Sequence, residues 1–133
     1  WNISSIHERI EGIMDAHESR GKAFDIENLI PIPYNNIKES IEKALLKRKK
    51  SCRLPEAVIA LNNSLIVHTL NTLQKIGVKV PSQVALAGFD DLEYNNLLIP
   101  SITSVSMPVP GLCQHTFDML LEKINQKDKH LEW

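Results

Sequence analysis

Two stretches, Ala57-Val58-Ile59-Ala60-Leu61 and Val84-Ala85-Leu86-Ala87-Gly88-Phe89, hold no charged residue and do not alternate polar with apolar side chains. A strand with one wet face alternates with period two, whereas an unbroken apolar run is expected where both faces of a parallel sheet are covered. Each run ends in a polar pair, Asn62-Asn63 and Asp90-Asp91. Between them Ile66, Leu70 and Leu73 recur at helical spacing and Gly77 supplies a stop. A strand, a helix and a second strand in that order predict parallel pairing, because parallel neighbours need a crossover connection.

The flanking sequence extends the same alternation. Ser5 and Glu8 have capping-box spacing, and behind them Ile6, Ile10, Ile13, Met14 and His17 predict a helix that stops at Gly21. Asp25–Pro33 (DIENLIPIP) reads as a short strand bounded by prolines. Asn36 opens a helix with Ile37, Ile41, Ala44 and Leu45 inward, ending in Lys47-Arg48-Lys49-Lys50. That basic run reads as a solvated helix end, where cations suit the dipole. After Asp91 a loop leads through Pro100 to a strand around Ile102–Met107, and a last helix spans about Pro108–Lys127. The fold class expected is α/β, three-layered, with a mostly parallel sheet flanked by helices.

Composition excludes several functions. Lys and Arg number 15 against 16 Asp and Glu, a formal net charge of -1, so no global positive field draws in nucleic acid or an anionic membrane surface. No apolar run approaches the roughly 18–20 residues of a membrane span. Cys52 and Cys113 form no CxxC pair and are expected to be free thiols. Glycine-rich phosphate loops, a GxSxG elbow and an HExxH zinc motif are all missing, and His7, His17, His68, His115 and His130 lack metal-ligand spacing. The expectation is therefore a non-enzyme with no cofactor and no metal.

Ligands of open parallel sheets bind outside the carboxyl ends of the strands. That rule gathers Tyr34 after the first expected strand, Asn62 after the second and Asp90 after the third. A carboxylate accepts from paired hydroxyls, an amide both donates and accepts, and an aromatic face stacks on the C–H face of a sugar. Each residue also has a plain structural role open to it: Asn62 as a helix cap, Asp90 as a loop cap, Tyr34 on a rim.

Five segments together carry a family resemblance: Arg9-Ile10-Glu11-Gly12, Pro55 to Asn63, Leu73 to Pro81, Val84 to Asp91 and Ile99 to Val105. In order and spacing they resemble the effector-binding core of LacI/GalR-type transcription regulators over about residues 5–125. The resemblance implies a periplasmic-binding-protein-like fold of two α/β subdomains with a ligand cleft between them. It implies that Arg9, Tyr34, Asn62 and Asp90 contact the ligand and that Met107 stands at a crossover position where the family often has a polar contact. Asn63 departs from the family's usual Asp, and Cys113 from its usual Gly.

By the same resemblance, residues 1–107 correspond to the C-terminal subdomain and 108–133 to a crossover helix and tail that pack on the other subdomain. The chain opens on Trp1 rather than Met, as expected of a boundary inside a longer polypeptide. The implied function is effector sensing in a cytoplasmic, homodimeric regulator. It would bind a small sugar-like molecule and meet operator DNA only through a headpiece outside this chain, with no membrane contact. The apolar face of the last helix is expected to pack on a second copy or on the exposed sheet. Two alternatives stand beside this reading: a secreted sugar-binding protein of the same fold, and a metal-dependent α/β enzyme using Asp90 or Asp91.

Overall fold

The computed structural model describes residues 4–125. Helix α1 spans Ser4–Glu18, and short 3-10 turns occupy Ile26–Asn28 and Tyr34–Asn36 ahead of α2, Ile37–Lys50. Strand β1 (Ala57–Ala60), helix α3 (Asn63–Lys75) and strand β2 (Ala85–Phe89) follow, then a turn over Glu93–Leu97, strand β3 (Thr103–Val105) and helix α4 (Val109–Asn125). The sheet order is β1-β2-β3 with both pairs parallel. The expected fold class is the observed one. Trp1, His130 and the tail beyond Asn125 lie outside the described residues.

The core lies on one side of the sheet. Val58, Ala60, Leu86 and Gly88 face α3, where Ile66 and Leu70 pack with Ala60, Leu86 and Ile102. Leu73 and Val84, both fully buried, join Ile41 and Leu45 of α2 and Val78 in a second cluster. Of the predicted inward residues, Ile37, Ile41 and Leu45 of α2 and Ile66, Leu70 and Leu73 of α3 are packed in these clusters, while Ala44 is half-buried outside them. Gly77 sits at φ +73, and Val78 N donates to Leu73 O at 2.8 Å, so the left-handed residue ends α3 as expected.

The opposite face is thinly clad, which corrects the expectation of burial on both faces. Ile59 is 45% exposed and Val105 52%. Among the described residues α1 lies beside this face, next to Ile59 and Phe89, and none of its residues is buried. The unbroken apolar run signalled a strand correctly but overstated its cover.

Asp25–Pro33 is not a strand. Asp25 Oδ1 accepts from Glu27 N at 2.9 Å, a local bond that turns the chain into a 3-10 turn, and Pro31 and Pro33 supply no N–H to a ladder. The segment docks instead through Ile32 on the α2 cluster and through Arg48, whose Nη2 donates to Glu27 O at 2.8 Å. Lys49 donates to Ile76 O, so part of the basic run fastens neighbouring loops rather than standing free in solvent. Ser5 lies inside α1 and does not cap it.

Helix α4 does not lie on the exposed sheet. Phe117, Leu120, Leu121 and Ile124 remain 41–57% exposed, and none of its residues is buried.

Candidate functional site

The carboxyl ends of β1 and β2 converge on one side chain from α1. Arg9 Nη1 donates to Leu61 O just beyond β1, and Arg9 Nη2 donates to Asp90 Oδ1 at 2.9 Å just beyond β2. A second approach, Nη1 to Asp90 Oδ2 at 3.5 Å, makes the pair nearly bidentate. The guanidinium carbon also lies 4.8 Å from the centre of the Phe89 ring, within cation–π range. Side-chain exposures of 17% for Arg9 and 33% for Asp90 leave the pair partly open to solvent.

Asp90 reaches Arg9 from an unusual backbone. Its φ is +71, a left-handed conformation that Asp tolerates better than most residues. Its N–H donates to Val105 O at 3.1 Å, and its carbonyl accepts from the side chains of Asn63 at 3.1 Å and Asn95 at 3.3 Å.

Beside the pair runs a groove of about 540 Å³ between α1 and the uncovered sheet face. Arg9, Glu8, His17, Ile59, Phe89 and Met107 are among its lining residues. Its walls are mostly apolar, with Arg9 and Glu8 supplying charge. Such a site can hold an apolar ring face while a carboxylate and a guanidinium meet its hydroxyls.

The five residues expected at the site divide. Arg9 and Asp90 are in direct contact, and Met107, 46% exposed, lines the same groove. Asn62 adjoins Leu61, and its Oδ1 accepts from Leu65 N at 2.9 Å, so it caps α3. That leaves its NH2 group as the part able to meet a ligand. Tyr34 is 88% exposed on the 3-10 turn before α2 and is not brought to the others. The strand that was to place it does not form.

Sequence reasoning did not single out Phe89, Tyr94, Asn95 or Ser104 for the site. Phe89 was read only as the end of a buried strand. Asn95 sits in a polar loop with no periodicity, and nothing in a single sequence distinguishes it from exposed Asn96.

No group of three or more His, Cys, Asp or Glu among the described residues could hold a metal ion. Both cysteines are free and exposed. No helix among the described residues is long and apolar enough to cross a membrane.

A parallel α/β layer with an Arg–Asp pair at its strand ends and an open groove beside it matches the periplasmic-binding-protein-like fold. The chain belongs to the family of periplasmic binding protein-like domains, whose profile matches residues 4–132, and within it to the LacI type. The HTH-type transcriptional regulator KdgR of Bacillus subtilis is 24% identical over 125 residues, covering 92% of this chain and 37% of that protein. A LacI-type transcription regulator from Bifidobacterium animalis superposes with a TM-score of 0.76 at 26% identity, over 94% of this chain and 44% of the other. A LacI-family regulator from Enterococcus faecium, solved with bound ribose, shares the fold at a TM-score of 0.77 and 24% identity, over 96% of this chain and 46% of its own. The chain thus spans less than half the length of these relatives, which are transcriptional regulators by name.

Proposed function

We propose that this chain senses a small, neutral, hydroxyl-rich effector, a sugar or sugar derivative, for a cytoplasmic LacI-type regulator. Arg9, Asp90 and the Asn62 amide contact the ligand, Met107 lines its groove, and Tyr34 serves only as an outer rim. The observation that carries this reading is the Arg9–Asp90 pair, held at the ends of two adjacent parallel strands beside the groove. Its support is that one family relative was solved with ribose and another, CelR, with cellobiose. A second lobe of the whole regulator would close over the ligand, and closure would shift the affinity of its DNA-reading part for an operator. No covalent step is needed.

Calorimetry of the whole regulator, both lobes present, with D-ribose, cellobiose and other neutral sugars tests the site. At least one sugar is expected to bind, and Asp90→Asn is expected to weaken it by about 10- to 100-fold, since a hydrogen bond to a charged group contributes about 1.5–3 kcal/mol. Equal affinity in the variant would remove Asp90 from the site. Silence across the panel would remove the sugar class.

A second copy of this chain is the partner proposed for α4 when the other subdomain is absent. Residues 109–125 carry the apolar face expected to meet another surface, and that face is uncovered in the single chain. Sedimentation velocity is expected to show a concentration-dependent dimer that Leu120→Glu returns to monomer. A native chain that stays monomeric up to millimolar concentration rules this surface out.

A further inference from the structure

The turn after β2 is tied down by more hydrogen bonds than the Arg9–Asp90 pair requires. Asn63 Nδ2 donates to Asp90 O at 3.1 Å and to Asn95 Oδ1 at 3.2 Å. Asn95 Nδ2 donates to the same Asp90 O at 3.3 Å and to Ser104 Oγ at 3.2 Å. The Ser104 hydroxyl donates in turn to Asp91 Oδ1 at 2.9 Å, and the Tyr94 hydroxyl donates to Asn63 Oδ1.

Every polar atom of the two amide side chains therefore has a partner. Asn95 is 0% exposed and Asn63 8%. Burying two primary amides is unfavourable unless each donor and acceptor is met, and a network met in full enforces a single geometry. Here that geometry converges on one carbonyl. Asp90 O accepts from both amides while Asp90 N donates to Val105 O, so both ends of its backbone are pinned at φ +71. Only the carboxylate is left to move, and it points at Arg9.

We infer that Asn63 and Asn95 form a two-amide clamp that presets Asp90, and through it Arg9, for the ligand. They are positioning residues and do not touch the ligand themselves. The consequence for affinity rests on the proposed sugar site; the consequence for the Arg9–Asp90 pair does not. Pre-organising the carboxylate spares the ligand the ordering of a left-handed turn, so losing the clamp weakens binding without removing any contact to it.

The test reads Arg9 directly. In nitrogen-15 spectra the two Arg9 Nη groups are expected to give separate signals in the native chain, because pairing with Asp90 hinders their rotation. Asn95→Ala is expected to merge them and to weaken D-ribose binding tenfold or more. Leu73→Ala, which opens a cavity in the other cluster, is expected to lower the melting temperature while leaving the Arg9 signals separate. Tyr94→Phe removes only the hydroxyl that orients Asn63 and is expected to shift the signals the same way by less. It decides the matter alone if Asn95→Ala does not fold. Separate Arg9 signals in every folded clamp variant would overturn the proposal. If D-ribose fails to bind the native chain, that counts against the ligand reading alone, and the Arg9 signals still decide the clamp.

Discussion

Arg9→Ala is expected to weaken sugar binding by roughly 30- to 150-fold, or about 2–3 kcal/mol, and to release α1 from the sheet. The guanidinium makes three attachments at once: to the Leu61 carbonyl, to the Asp90 carboxylate and to the face of Phe89. No residue of α1 is buried, so little else fastens the helix. Truncation also leaves Asp90 without its counter-charge, and the solvent exposure of that carboxylate keeps the loss at the lower end for such pairs. Arg9→Lys is expected to recover only part of the affinity, because a single ammonium cannot reproduce the planar fork that spans Leu61 and Asp90. Calorimetry reads the affinity, and hydrogen exchange of the α1 amides reads the release. A loss below about threefold, with protected α1 amides, would show that the arginine is dispensable.

Gly88→Val is expected to destabilise the fold by about 3 kcal/mol or more, a large share of the roughly 5–15 kcal/mol that holds a domain together. A Cβ at this position would stand 2.4 Å from both Cγ1 and Cδ1 of Ile66 and 3.0 Å from the Ala60 carbonyl. Ile66, on the inner face of α3, is fully buried in the core, and the Ala60 carbonyl belongs to the neighbouring strand. The strain would fall on the two strands whose ends place Leu61 and Asp90, so ligand affinity is expected to fall with stability. Gly88→Ala should move both quantities in the same direction by less. Urea denaturation measures the loss, and an unchanged midpoint would mean that α3 can shift outward at little cost.

The sequence was most legible where a physical rule applied without competition. The runs beginning at Ala57 and Val84 gave the two strands, and Ile66, Leu70 and Leu73 gave the buried face between them. Asp25–Pro33 misled because its apolar residues outweighed two local facts, an Asp able to bond its own backbone and two prolines without donors. Its apolar residues serve packing against α2, which composition does not separate from strand pairing. Unbroken hydrophobicity also overstated burial: Ile59 is apolar, but the helix beside it is loosely held. For the proposed site, the strand-end rule named Tyr34, Asn62 and Asp90, and family likeness named Arg9; the structure brings Arg9 and Asp90 into contact and leaves Tyr34 apart. Neither route reached Asn95, because a buried amide in a loop has no sequence period and declares itself only through its partners.

The one-sided cladding of the sheet has a thermodynamic consequence. Among the described residues, the buried side chains fall between Ile41 and Ile102, while α1 and α4 bury none. The cooperative unit is therefore shorter than the chain, and its denaturant sensitivity should match a smaller protein than 133 residues suggests. The two outer helices belong to the low-stability end of the molecule. One of them carries Arg9, half of the proposed ligand pair, so occupancy of that proposed site and order in that helix are expected to rise and fall together.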